Sequence, residues 1–119
     1  MEIVFICSAL RGDIEGNIAK ANDYCRWAMV EHGVLPIAPH AYFTQFLDDH
    51  NEAERELGIN AGLELLMGCS ELWHFGDDIT QGMEREINMA NNLGLKVRHI
   101  SNEEINLNND WRNTNEIVF

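Results

Sequence analysis

Basic residues are scarce in this chain. Eight Lys and Arg stand against twenty Asp and Glu among 119 residues, a formal net charge of −12. Nucleic acid needs a basic surface to neutralise its phosphates, so a general DNA- or RNA-binding role is excluded. Adsorption to an anionic membrane face is excluded for the same reason. No apolar run approaches the roughly 18 residues of a membrane span. The three cysteines, Cys7, Cys25 and Cys69, are odd in number and widely spaced, which fits neither a disulfide framework nor a zinc motif. The first residues carry no basic leader ahead of a long apolar stretch. Together these absences lead to the expectation of a reduced, cytoplasmic protein. Two prolines and no repeat or low-complexity stretch leave no linker to divide the chain. A length of 119 residues suits one domain over residues 1–119, and 45% hydrophobic residues suffice for its core.

What is present alternates in kind. Residues 2–7 (EIVFIC) form a short β-branched and aromatic run, too short for a helix, and read as a buried strand. Over residues 17–32 the apolar positions Ile18, Ala21, Tyr24, Cys25, Ala28 and Met29 recur at three and four, as on one face of a helix. Asn17 suits its N-cap and Gly33 its end. Residues 34–38 form a second strand closed by Pro39, and residues 40–47 are ambiguous, with a short helical turn as one reading. Residues 52–69 have helical spacing through Ala53, Leu57, Ala61 and Leu65, with Leu66 and Met67 beside them. Residues 71–75 are a third strand and 76–81 a loop; residues 82–93 form a helix through Met83, Ile87, Ala90 and Leu93; residues 96–100 are a fourth strand. One or two helical turns follow at 102–107. Beyond residue 101 the pattern weakens into an irregular, Asn-rich tail, with a terminal strand or partner contact at 116–119 and Trp111 placed to pack on a neighbouring subunit.

The order β-α-β-α-β-α-β implies a parallel sheet with helices on both faces. Right-handed crossovers give the strand order 2-1-3-4, a Rossmann-like or flavodoxin-like three-layer α/β fold. The chain then reverses direction between the first and third strands, and ligands bind beyond their carboxyl ends. Two loops are singled out: residues 8–13, and residues 76–81 with the helix start behind them.

In the second loop Asp77 and Asp78 follow Gly76, Gly82 opens the helix, and Glu86 lies one turn in with Glu84 beside it. Carboxylates in a cleft hydrogen-bond ribose hydroxyls, or act as nucleophile and acid–base pair on an anomeric carbon. The alternative is that Asp77, Asp78 and Glu84 only favour a helix N-terminus, a reading that does not reach Glu86. In the first loop, Arg11 beside Gly12 suits a phosphate or carboxylate, or a surface ion pair. Only three residues separate Cys7 from Arg11, so the five-residue spacing of a cysteine phosphatase loop is absent. The histidines 32, 40, 50, 74 and 99 show no helix-face ligand spacing, and no metal site is expected. His40 alone stands near the cleft; His74 and His99 read as structural. Tyr42, Phe43 and Phe46 suit either core or a lid over a base, Trp27 and Trp73 suit core, and Arg55 and Glu56 suit pairs along their own helix with residues such as Glu52 or Asn60.

The stretch Cys69-Ser-Glu-Leu-Trp-His-Phe-Gly-Asp77, then Gln81-Gly-Met-Glu-Arg-Glu86-Ile-Asn-Met-Ala90 and Leu93-Gly-Leu-Lys-Val97, resembles the nucleoside 2-deoxyribosyltransferase-like superfamily. The opening Phe5-Ile-Cys-Ser-Ala-Leu10 is similar to its first strand and loop. Pro36-Ile-Ala-Pro-His40 and Thr44-Gln-Phe-Leu-Asp48 look more like a small branch found in phages and Gram-positive bacteria. The resemblance runs over residues 2–100. It implies the same Rossmann-like fold, cleavage of the N-glycosidic bond of a nucleoside or nucleotide, no cofactor, and assembly into a homo-oligomer, a dimer or larger. It places the glutamate nucleophile at Glu86 and an assisting aspartate at Asp77. Ser8 and Ala9 stand where the family has Gly and Pro, and Leu10 where it has an aromatic residue. Thr80 stands where an acidic residue is usual, and Met83 where Thr follows the glycine.

Two functions follow as expectations. In the first, Glu86 attacks the anomeric carbon and Asp77 or Asp78 assists the leaving base. Ser8, Arg11 and Gly12 hold a phosphate, while His40, Gly76, Gly82 and Met83 line the ligand. In the second, the same cleft sequesters a nucleotide or ADP-ribose-type signal without cleaving it, as a phage anti-defence protein would.

Overall fold

The computed structural model describes residues 1–106. Of the tail beyond residue 101, residues 102–106 form the short helix that the reading of one or two helical turns expects, while the Asn-rich stretch, the terminal strand and Trp111 lie outside the described residues. The elements run β1 (Ile3–Cys7), α1 (Ile14–His32), β2 (Leu35–Ile37), α2 (Pro39–Phe43), α3 (Glu52–Met67), β3 (Glu71–Phe75), α4 (Gln81–Asn92), β4 (Lys96–Ile100) and α5 (Asn102–Asn106). All strand pairs are parallel and the sheet order is β2-β1-β3-β4, as the alternation of elements required. Phe5 stands opposite Ile37 on one side and Leu72 on the other, and Phe75 stands opposite Ile100.

Strand periodicity splits the core in two. Val4, Ile6, Trp73, Phe75 and Ile100 point to the face covered by Trp27 and Ala28 of α1 and Ile105 of α5. Phe5, Cys7 and Leu72 point to the opposite face, covered by Leu66 of α3 and by Met83 and Ala90 of α4. The first face is aromatic. Trp27 meets Trp73 edge-on at 6.1 Å between ring centroids, and Tyr24 stacks on Phe75 at 4.4 Å. Burial on both faces explains why β1 reads as one continuous apolar run rather than an alternating strand.

Several boundaries differ from the sequence reading, each for a local reason. Helix α1 starts three residues before Asn17. Its cap is Asp13, whose carboxylate accepts from the Gly16 N–H at 3.1 Å. Asn17 instead lies in the first turn and donates from its side-chain amide to the carbonyl of Leu10 at 2.9 Å, tying the preceding loop to the helix. Gly33 does end α1, in the left-handed region at φ 64. Pro39 opens α2 at its first turn, where a missing N–H costs nothing. Thr80 caps α4 by accepting from the Met83 N–H at 3.2 Å.

The largest difference concerns α3. The expected apolar stripe through Ala53, Leu57 and Leu65 faces outward, and Leu57 is 60% exposed. The packed face is Ile59, Gly62, Leu63 and Leu66. Apolar residues occur all round this helix, so spacing alone does not choose a face. The glycines choose it. A side chain at Gly62 would come within 3.6 Å of Pro39, and one at Gly58 within 3.4 Å of Leu47, so these positions lie against α2 and the segment after it. The Trp27 and Trp73 expectations hold at 3% exposure each, whereas Tyr42 and Phe46 are both exposed and belong to no core.

This orientation of α3 predicts unequal costs for two leucines. Leu66→Ala should destabilise by about 2–5 kcal/mol, because it empties a fully buried site. Leu57→Ala should change stability by no more than about 0.5 kcal/mol. Equilibrium urea denaturation of the two variants measures both, and a reversed ranking would mean that α3 is turned the other way.

Candidate functional site

The carboxyl end of β1 is the centre of the candidate site. Cys7 is its last buried strand residue, and the chain passes through Ser8, itself buried, into the loop that precedes α1. From the β2 side, α2 brings His40 over this point, and the Ser8 hydroxyl lies 2.8 Å from His40 Nε2. Burial lowers the His40 pKa to about 4, so the ring is neutral at physiological pH. A neutral imidazole and a hydroxyl can each donate or accept, and the pair can present either polarity to a ligand.

From the β3 side, α4 brings Glu86. Thr80 fixes the start of the helix, Met83 is buried against the sheet, and Glu86 follows one turn later, close to Cys7. Burial raises the Glu86 pKa to about 7; a hydrogen bond from the Cys7 thiol and the nearby Arg85 guanidinium pull in the opposite direction but do not offset it. The Cys7 thiol is itself pushed upward, first by burial and then by facing Glu86, and it remains protonated. Its sulfur is also 3.8 Å from the Met83 carbonyl. The site therefore holds a carboxyl group that exchanges its proton near neutral pH above a thiol that does not.

Glu86 opens onto a cavity of about 290 Å³ shared with Ser8, Arg11, His40, Gly82 and Met83. A narrower recess of about 90 Å³ continues under Glu86 and His40 toward Phe43 and Gly58. Six of the residues selected from sequence thus come together. Four do not. Gly76, Asp77 and Asp78 line a separate cavity of about 320 Å³ with Asn17, Lys20 and Tyr24. Gly12, at φ 102, belongs to an open groove with Asp13 and Ile14. Ser8 lines both the Glu86 cavity and the Asp77 cavity and stands at their junction. The Asp77 carboxylate accepts from the Asn102 side-chain amide at 3.3 Å, and His99 Nε2–H donates to the Gly76 carbonyl at 2.9 Å. His99 also stacks on His74 at 4.8 Å, so both histidines shape the end of the sheet. Among the described residues, no three His, Cys, Asp or Glu side chains gather as metal ligands.

Two residues at the site were missed. Arg55 does not pair along its own helix as expected. It lines the Glu86 cavity, its Nε 3.9 Å from an Asp49 carboxylate oxygen. Arg11 reaches the same carboxylate at 3.1 Å. The signal for Arg55 was its position in the series 55, 59, 62, 66, which places a charge on the packed stripe of α3. Arg85 lines the cavity as well.

The protonation of Glu86 has a cost for folding. Below about pH 4.5 the carboxyl is neutral in both folded and unfolded chains and costs nothing. As pH rises from 4.5 to about 7 the unfolded chain ionises while the folded one keeps its proton, so stability falls; above 7 the loss is constant. Its size is on the order of 3 kcal/mol at most. Glu86→Gln has no such proton to lose. Its stability relative to the parent should be level below about pH 4.5, improve up to about pH 7 and stay level above that, as thermal melts from about pH 4 to 8 would show. A difference that does not change with pH would contradict the buried-carboxyl assignment.

No curated protein matches this chain. A family model does match, over residues 2–100, from the start of β1's approach to the end of β4, and its description is "Domain of unknown function (DUF7768)". The sheet, helices α1 to α4 and every residue of the Glu86 cavity fall inside that span, and the chain belongs to this family.

Proposed function

We propose that this chain binds a nucleoside or nucleotide in the Glu86 cavity and cleaves its N-glycosidic bond, in line with its resemblance to the nucleoside 2-deoxyribosyltransferase-like superfamily. The observation that carries this reading is Glu86 itself: a carboxyl at the carboxyl ends of the switch-point strands, buried enough to titrate near 7, opening onto a cavity large enough for a sugar. In the ionised form a Glu86 oxygen attacks the anomeric carbon. The C–N bond breaks with its electron pair leaving on the base, which takes up a proton, and a glycosyl ester remains. Water then adds at the anomeric carbon, displaces Glu86 and loses a proton, or a second base does so to complete a transfer. Ser8 and His40 are placed to orient sugar hydroxyls.

A second reading is favoured by one specific observation. Asp77 and Asp78 lie across Ser8 in the neighbouring cavity, so no other carboxylate of that loop stands beside Glu86 to assist a leaving base. A ligand that straddles Ser8 would meet both cavities without being cut. In that case the protein sequesters a nucleotide or an ADP-ribose-type signal, a role that would suit a phage protein acting against host defence.

Incubation of the purified chain with nucleosides, nucleotides and NAD-type molecules separates the two readings, with products analysed after denaturation. Cleavage predicts free base with the parent protein and none with Glu86→Gln, which should retain binding. The rate should rise with pH through a midpoint near 7, because only the ionised carboxylate attacks. Recovery of the added molecule intact from the denatured protein would remove the catalytic reading and leave the binding one.

A further inference from the structure

The protein has eight Lys and Arg in all, yet three of them, Arg11, Arg55 and Arg85, line a single cavity with Glu86. Two of these come from different elements and converge. Arg11 leaves the β1–α1 loop and Arg55 the first turns of α3, and both meet Asp49. Arg11 Nε lies 3.1 Å from one carboxylate oxygen of Asp49, and its Nη2 donates to the Asp49 main-chain carbonyl at 3.3 Å. Arg55 Nε stands 3.9 Å from the other carboxylate oxygen, beyond hydrogen-bond length.

Charge in this trio does not cancel. Two guanidinium groups face one carboxylate, and one positive charge is left over. A phosphomonoester dianion would balance both, and its oxygens match the planar fork of each arginine better than a single carboxylate shared between them. The other acids nearby do not take this place. Glu54, in the adjoining recess, accepts from the Asp48 N–H at 3.2 Å, and Glu86 is turned toward Cys7. Asp49 itself is carried on the segment 44–51 between α2 and α3. That segment is shaped by its own contacts: the Asp48 carboxylate accepts from the His50 N–H at 2.9 Å, and Asn51 caps α3. The carboxylate of Asp49 can therefore swing away while the segment keeps its form, and the Arg11 contact to the main-chain carbonyl does not depend on it.

We infer that Arg11 and Arg55 form the seat for a phosphomonoester and that Asp49 occupies that seat in its absence, as an internal competitor which the ligand's phosphate displaces. This deepens the nucleotide reading, because a phosphate so held puts the attached sugar in the cavity that Glu86 lines. The anion seat nonetheless has its own test, independent of any bond cleavage.

The test is calorimetric titration of the full chain with inorganic phosphate, chloride being adjusted to hold ionic strength constant. Asp49→Asn should bind phosphate at least about tenfold more tightly than the parent, since the competitor is gone and both arginines remain. Arg55→Gln and Arg11→Gln should each lose most of that affinity. Ribose 5-phosphate should compete and ribose should not. Asp49→Ala provides a second removal of the carboxylate if the Asn variant is poorly folded. Phosphate added to the parent should also shift the arginine Nε NMR signals of residues 11 and 55 together. Equal or weaker phosphate binding in both Asp49 variants, or unmoved arginine signals, would overturn the seat. If the seat behaves as expected while Glu86→Gln changes no turnover, the anion site stands and the glycosidic reading alone falls.

Discussion

Central placement of β1 is the constraint on which the site depends. The strand pairs with β2 on one side and β3 on the other and is covered on both faces, so its residues from Val4 to Cys7 have no contact with solvent. Such a strand can open to solvent only at its end. On leaving it, the chain must turn toward α1 on one face, while α2, α3 and α4 approach from the other elements. Ser8 marks that turn. The two cavities that meet there are the two sides of one topological break in the sheet, and their separation follows from the strand order.

Electrostatics then distinguishes the two sides. On the α4 side stand the arginines and a carboxyl that burial keeps half-protonated near neutrality; on the α1 side stand the paired aspartates with Lys20 and the Tyr24 ring. A chain of net charge −12 repels anions at long range. Gathering three of its few cations around one cavity reverses that locally. Beside Glu86 itself, His40 is neutral and the Cys7 thiol protonated, so the charge that bears on this carboxyl comes from the arginines.

Much of this was legible in the sequence, and the parts that were not share a cause. Strands β3 and β4 lie where their β-branched and aromatic stretches place them, with Gly76 directly after β3 and Gly94 just ahead of β4. The alternation of elements fixed the sheet order. By contrast, α3 is apolar all round, and only contact with Pro39 and Leu47 decides that Gly58 and Gly62 face inward. Arg55 was assigned to its own helix for the same reason: the partner it meets, Asp49, comes from a segment whose path no periodicity describes. Glu86 was readable because one helical turn from a strand end is a fixed displacement. The division between Glu86 and Asp77 was not, since it depends on which side of Ser8 each side chain falls.

A carboxyl group at the end of a buried strand, titrating near neutrality, is the centre of this account. Direct observation of its proton is the most telling measurement: carbon-13 NMR of the glutamate side-chain carboxyls across pH 4 to 9, with Glu86→Gln to assign the signal. The account predicts one glutamate titrating with a midpoint near 7, absent from the variant. A Glu86 signal that titrates near the ordinary 4.5 would mean the group is an exposed surface acid, and the chemistry assigned to the cavity would have no basis.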